Sequence, residues 1–363
     1  MTRPPQTCLD PLSLLRGMVD IPSPSGHEAP VADFAAARMN EYGFATRIDA
    51  VGNVIGEIGD PLGPIILLLG HIDTVPGGPP VHLDGDLLYG RGAVDAKGAF
   101  ATMICSAARV GPELKARLRV VGAVDEERLS VGARHLLGDM DERGERPGAV
   151  VIGEPSGTGT IVVGYKGIFR FRLQMRASAH HTSSPDDTAA VMAVGAWQQI
   201  SDWLSGLRPA DGPLFGQAIP TITGFRADLE LATVDVSCRV PPGFEADAFS
   251  HRLREIAGDQ GHIEILEWVP AVRVSQRNAA ARALQESMRA CGLDGLTKVK
   301  LGTSDMNLAV SHWGVPTVAY GPGDSHLCHS ADEHVDIRGF MVSIDVLAGA
   351  LVRLAAAIGA GQP

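Results

Sequence analysis

Cysteine, aromatic side chains and basic charge are all sparse in this chain. Five cysteines (Cys8, Cys105, Cys238, Cys291 and Cys328) are scattered over 363 residues without a CxxC pair, which excludes a disulfide framework and a zinc ribbon. Lysine and arginine number 31 against 42 aspartates and glutamates, a net charge of −11. Nucleic acid and anionic membrane surfaces are therefore not expected partners. Residues Met1 to Asp20 hold no apolar run long enough for a signal peptide or a membrane span, so a cytoplasmic location is expected. No GxGxxG follows the first apolar strand, which removes a dinucleotide-binding reading.

What is present is apolar and periodic. At 363 residues the chain exceeds one core's usual size, and two domains are expected. Asp10 to Tyr42 reads as helical, broken at Ile21-Pro22-Ser23-Pro24-Ser25-Gly26. Ile65–Leu69 is apolar on both faces, as a central parallel strand covered by helices would be. Helix is expected over Ala96–Val110 and Val131–Leu137, and strand over Leu118–Val124 and Ala149–Ile152, an α/β alternation. The middle differs. Thr160–Met175 and Thr233–Val240 read as strands of a small four-stranded open sheet, backed by helices near Thr188–Leu207 and Ala246–Ala257. Phe169, Phe171, Leu173 and Met175 alternate with Arg170, Arg172, Gln174 and Arg176, a half-buried strand. The α/β pattern resumes with a helix over Asn278–Cys291, a strand over Thr317–Tyr320 and a last apolar helix, Phe340 to Ile358. The expectation is an α/β catalytic domain with a mostly parallel sheet, in two parts (1–162 and 275–363), plus an inserted α+β lid or dimerisation domain (163–274).

The chemistry sits where the apolar runs stop. His71 and Asp73 follow one run, Asp95 follows Gly92-Ala93-Val94, and Glu126 and Glu127 follow Val121–Val124. Glu154 follows Val150-Val151-Ile152-Gly153, and His329 follows Leu327-Cys328. Any one of these alone reads as a solvated or capped carboxylate; at successive strand ends they read as a metal site, since sites form beyond the carboxyl ends of parallel strands. His71 and Asp73 are two apart, so on an extended segment Asp73 orients the imidazole. Asp95 precedes a helix, where it could bridge two cations. Asp95, Glu127 and Glu154 with one bridging hydroxide balance two divalent ions, His71 and His329 being neutral ligands. Glu126 is then the surplus carboxylate, a base for the water that a metal pair roughly 3.5–4 Å apart activates. Hydrolysis of an amide is the expected reaction. Zinc is the default metal, with cobalt and manganese compatible.

Gly70-His71-Ile72-Asp73-Thr74-Val75-Pro76, Gly90-Arg91-Gly92-Ala93-Val94-Asp95-Ala96-Lys97-Gly98 and Asp125-Glu126-Glu127 resemble the di-zinc aminoacylase and carboxypeptidase family, over the whole chain. That family includes acetylornithine deacetylase, succinyl-diaminopimelate desuccinylase and a lysine-biosynthesis hydrolase. The resemblance implies His71 and Glu154 as terminal ligands of one zinc ion and Glu127 and His329 of the other. It implies Asp95 as the bridge, with a cis peptide after it, and Glu126 as base.

Ser178-Ala179-His180-His181-Thr182-Ser183-Ser184-Pro185 resembles the family's lid motif, which implies His181 as an oxyanion-stabilising residue reaching a partner subunit's site, and so a homodimer. Arg239 resembles the lid arginine for the substrate's α-carboxylate, a task suited to a guanidinium fork. Gly302-Thr303-Ser304-Asp305 resembles a supporting turn but lacks the family's second glycine. Ser304-Asp305-Met306-Asn307, Gly321 to His329 and Val163 to Gly167 look most like the branch that frees lysine or ornithine from the glutamyl C-terminus of a small acidic amino-group carrier protein. Arg170, Arg172 and Arg176 are then candidates to dock that carrier. Deacylation of free acetylornithine or acetyl-lysine is the enzymatic alternative; succinyl-diaminopimelate and dipeptides fit less well. A metal-bound scaffold is the non-enzymatic one, which retention of Glu126 argues against.

Overall fold

The computed structural model describes residues 10–178, 181, 183–207 and 212–360. Cys8, and Ala179, His180 and Thr182 of the lid motif, lie outside the described residues. The chain divides into two compact units, the first comprising 1–163, 274–298 and 304–363 and the second 164–273 and 299–303.

The first unit begins with helices α1 (Pro11–Val19) and α2 (Ala29–Glu41) and strands β1 (Ala45–Ile48), β2 (Val54–Gly59) and β3 (Ile65–His71). A short hairpin, β4 (His82–Asp84) and β5 (Leu87–Tyr89), precedes α3 (Lys97–Val110), β6 (Arg117–Ala123), α4 (Val131–Glu142), β7 (Ala149–Gly153) and β8 (Thr160–Tyr165). The second unit contains β9 (Gly167–Arg176), α5 (Ala189–Gly206), β10 (Ile219–Ala227), β11 (Leu231–Val240), α6 (Ala246–Ala257), β12 (Gly261–Val269) and β13 (Val272–Arg273). After it come α7 (Ala279–Ala290), β14 (Leu296–Lys300), α8 (Asp305–Trp313), β15 (Thr317–Ala319), β16 (His334–Asp336) and α9 (Ile337–Gly359).

The large sheet runs β1-β2-β6-β3-β7-β15-β8. Its centre, β6-β3-β7-β15, is parallel, and β1, β2 and β8 pair antiparallel at the flanks. Every residue of β3 is buried, as its unbroken apolar run required. Register fixes what matters for function: His71 pairs with Ala123, and Gly70 with Gly153, so three strands finish at one level. Gly122 keeps that level tight, since a Cβ there would sit 2.7 Å from Ile72 Cγ2 and from Phe100 Cζ. Helix α9 is long and apolar enough, by length and composition, to cross a bilayer, but half of that stretch is buried. Phe340, Ile344, Leu347, Leu351 and Leu354 fill its inner face, against α3 and α7.

The second unit is a four-stranded antiparallel sheet, β10-β11-β9-β12. Phe169, Phe171, Leu173 and Met175 enter its core together with Phe249 and Leu253 of α6 and Ile200 and Leu204 of α5. The alternation along this strand is the one the sequence predicts. The expected single strand Thr160–Met175 is instead two, broken at Lys166. Lys166 is buried, its ammonium donating to the carbonyl of Gln217, and a Cβ on Gly167 would lie 2.4 Å from the Val269 carbonyl oxygen.

Candidate active site

The parallel strands deliver their C-terminal residues to one place. His71 ends β3, Glu154 follows the last residue of β7, and Glu126 and Glu127 lie just beyond β6. His71 Nδ1 lies 3.1 Å from the Asp73 carbonyl oxygen and 3.4 Å from Asp73 Oδ1, so its proton is held on that side. Nε2 is left facing Asp95 Oδ1 at 3.3 Å and Glu154 Oε1 at 3.8 Å. His329 Nε2 lies 3.3 Å from the other Asp95 oxygen, Oδ2, and 2.9 Å from Glu127 Oε1. Asp95 thus presents one oxygen to each imidazole–carboxylate pair. Its peptide bond to Ala96 is cis.

These spacings suit a metal pair. Two ligand atoms each about 2.0–2.2 Å from one tetrahedral ion stand about 3.4 Å apart, and the four pairs span 2.9–3.8 Å. Ligand-type atoms of His71, Asp95 and Glu127, and separately of His71, Glu126 and Glu154, lie within 4.8 Å of one another. Charge points the same way. Desolvation opposes a proton on His71, yet its hydrogen bonds to Asp73 and Asp95 and the nearby Glu126 charge hold its pKa well above the usual range. Hydrogen bonds to Asp95 and Glu127 push His329 up to about 10. Both rings are driven toward the charged form because the carboxylates around them call for positive charge, which divalent ions would meet while displacing those protons.

Asp73 organises the opposite side. It is fully buried and accepts the Ser25 hydroxyl (2.7 Å) and the backbone N–H groups of Glu126 (3.0 Å) and Glu127 (3.1 Å). One carboxylate therefore aims His71 and also fixes the turn bearing Glu126 and Glu127. Asp125, which opens that turn, has φ 61°, as does His329. Such left-handed backbone in non-glycine residues is costly and concentrates at functional sites. Desolvation pushes the Glu126 carboxyl well above its normal pKa; Glu154, Asp305 and Glu127 add to the effect and His71 opposes it. A carboxyl whose hold on a proton is strengthened in this way suits proton transfer.

Three buried residues here have roles the sequence did not disclose. Asp305 begins α8 behind a Ser304–Asn307 capping box, and desolvation lifts its carboxyl to about 6. Lys97 is 1% exposed and donates to the carbonyls of Met18 (3.0 Å) and Ile21 (2.8 Å), anchoring the residues just after Asp95. Glu333 collects backbone N–H groups from the Asp95 loop. The Lys97 and Asp305 positions lie inside motifs quoted above, whereas Glu333 lies outside them.

In the second unit, His181 is exposed, and Nδ1 accepts from the Ser183 backbone N–H (3.3 Å) and lies 2.8 Å from its hydroxyl. The neutral ring therefore carries its proton on Nε2. Arg239 Nη1 donates to Thr303 Oγ1 at 2.6 Å, and Thr303 donates on to the Lys166 carbonyl at 2.9 Å. Thr303 belongs to the turn that the sequence marks only as support. Arg170, Arg172 and Arg176 share one face of β9, but that face is not basic: Arg170 pairs with Glu267 (3.0 Å), and Arg172 with Asp235 (2.7 Å) and Glu264 (3.6 Å). The expected cationic dock is largely neutralised by its own neighbouring strands.

The profile of Peptidase family M20/M25/M40 matches residues 67–353. A LysW-lysine hydrolase of Deinococcus radiodurans is 37% identical over 354 residues, covering 94% of this chain and 96% of the relative. A LysW-lysine/LysW-ornithine hydrolase of Sulfurisphaera tokodaii is 27% identical over 344 residues, covering 94% of each. An M20 family metallo-carboxypeptidase from Sulfolobus solfataricus has the same fold, with a TM-score of 0.79 at 16% identity over 96% of this chain and 100% of that one.

Proposed function

Since this chain belongs to peptidase family M20/M25/M40, we propose that it is a metal-dependent amide hydrolase. Its substrate is lysine, or ornithine, joined to the C-terminal glutamyl group of a small acidic amino-group carrier protein. The observation that carries the chemistry is Asp95 with one oxygen toward His71 and the other toward His329. The substrate follows from the name and 37% identity of the Deinococcus radiodurans relative, and ornithine from that of the Sulfurisphaera tokodaii relative.

In this reading His71 and Glu154 would hold one ion, Glu127 and His329 the second, and Asp95 would serve both. Zinc suits such a mixed imidazole–carboxylate set, with cobalt as a substitute. When bound, the pair supplies Lewis acidity toward the scissile carbonyl and makes water acidic enough to ionise near neutral pH. Glu126 takes the proton from the attacking water and passes it to the departing lysine α-amine, so acid and base are one carboxyl. Asp73 keeps the His71 proton on Nδ1 and leaves Nε2 as the donor atom. His181, with its proton on Nε2, donates to the oxygen that becomes negative at the tetrahedral stage, in a homodimer at the partner's site. Arg239, steadied by Thr303, takes the α-carboxylate of the amino acid to be released.

A mass-resolved turnover assay compares carrier-linked lysine, carrier-linked ornithine, acetylornithine and acetyl-lysine, with metal content measured on the same sample. Faster turnover of the free acetyl compounds than of the carrier-linked ones would overturn the substrate assignment. Arg239→Met is expected to raise KM for carrier-linked lysine by about 10–100-fold, the loss of a charge-assisted pair. His181→Ala is expected to lower kcat by about 10²–10³-fold with little change in KM, the signature of a contact made at the transition state.

A further inference from the structure

Four residues beyond His329, the Glu333 side chain is completely buried. Its Oε1 accepts the backbone N–H groups of Gly92 (2.9 Å), Val94 (3.1 Å) and Asp95 (3.1 Å). Its Oε2 accepts a hydrogen bond from Nη1 of Arg91. Arg91 continues the stitch, with Nη2 donating to the Ser330 carbonyl (3.2 Å) and Nε to that of Gly77 (3.1 Å). The Gly90 N–H donates to the Glu333 carbonyl at 3.1 Å. Residues 90–95 are thus wound about one carboxylate. Gly92 makes the winding possible, having φ +87° and space so tight that a Cβ would lie 2.9 Å from Lys97 Cδ.

We propose that Glu333 is a positioning residue that sets Asp95 and the His329 loop in a single arrangement, and so governs occupancy of the metal position built from Asp95, Glu127 and His329. The proposal rests on the ligand set given above. The two halves of that set are anchored differently. His71 ends β3 and Glu154 follows β7, so paired strands fix both. His329 is on a loop ten residues past β15, 47% exposed and with positive φ. The β5–β16 pairing, the Gly90 N–H to Glu333 carbonyl bond, the Arg91–Ser330 bond and the Glu333 carboxylate tie this loop to the one bearing Asp95, and of these the Glu333 carboxylate is the tie that reaches the N–H groups of Gly92, Val94 and Asp95. Loosening Glu333 disturbs two of the three ligands of the His329 half, but only one of the three in the His71 half.

Charge makes the tie firm. A carboxylate oxygen receiving several N–H groups forms charge-assisted bonds, and Arg91 is matched by the same group. Glutamine in its place keeps the shape, weakens the acceptor and leaves Arg91 without its counter-charge.

Glu333→Gln titrated with Co2+, followed by visible absorption and by heat, tests this without any turnover measurement. The unmodified protein is expected to take up two equivalents. The variant should bind the first within about threefold of the parent affinity and the second about 10–100-fold more weakly, the usual scale for groups that orient a ligand. Arg91→Lys keeps the charge but not the fork and should weaken the same equivalent to a smaller degree; it decides the matter alone if Glu333→Gln does not fold by circular dichroism. Unchanged binding of both equivalents, or equal weakening of both, overturns the role of Glu333. Uptake of fewer than two equivalents by the unmodified protein overturns the ligand set itself, and the proposal with it.

Discussion

Glu126→Gln is expected to cut kcat for carrier-linked lysine by about 10²–10⁴-fold while the protein still binds two metal equivalents. Asp73 holds the backbone N–H groups of Glu126 and Glu127 on its two oxygens, so an amide at position 126 leaves the path of the chain and the Glu127 carboxylate where they were. What changes is the ability to hold a proton. The carboxyl is desolvated and surrounded by Glu154, Asp305 and Glu127, which raise its affinity for a proton, with His71 pulling the other way. A base with that balance can take a proton from water and surrender it to an amine; a carboxamide can do neither. Because the loss concerns proton transfer, KM should stay within a few-fold of its parent value. A variant retaining most of its turnover would remove Glu126 from the mechanism, and one that loses metal as well would make Glu126 a ligand, as its closeness to His71 and Glu154 allows.

The parts of this site legible in the sequence share a cause. A ligand-type residue directly after an unbroken apolar run can be read because the run fixes a central strand, and the strand's end fixes where the side chain goes. Ile65–Leu69 before His71, and Val150–Ile152 before Glu154, are of that kind. The lid alternation from Phe169 to Met175 was equally legible, since period-two burial is local. Three things were hidden. The break at Lys166 depends on the close approach of Val269 to Gly167, 102 residues apart in the chain. The neutralisation of Arg170 depends on a bulge between Ile265 and Glu267, which sets Glu267 opposite Arg170; strict alternation along β12 would not place it there. Glu333 was invisible because it serves backbone N–H groups, and no side-chain pattern announces an acceptor for the main chain. Local periodicity therefore pointed to the candidate ligands, while the groups that aim them came from contacts between distant segments.

Asp95 turns one oxygen toward His71 and the other toward His329, as a residue shared by two ions would need to. Asp95→Ala is expected to weaken both metal equivalents. Apparent binding energies of about 10–16 kcal/mol for four-ligand zinc sites put one ligand at roughly 3 kcal/mol, or about a hundredfold in affinity. Asp95→Asn is the sharper experiment. A carboxamide has one oxygen acceptor, and its NH2 group cannot ligate a cation, so it serves the His71 side or the His329 side but not the two together. One equivalent should bind within about tenfold of the parent affinity and the other should be lost at micromolar metal. Turnover should fall at least about a hundredfold, because the water and the carbonyl would no longer be held by two ions. Equilibrium dialysis with zinc measures both variants. Two intact equivalents in Asp95→Asn would mean that the oxygens at 3.3 Å from His71 and 3.3 Å from His329 do not share a pair of cations, and would remove the bridging role of Asp95.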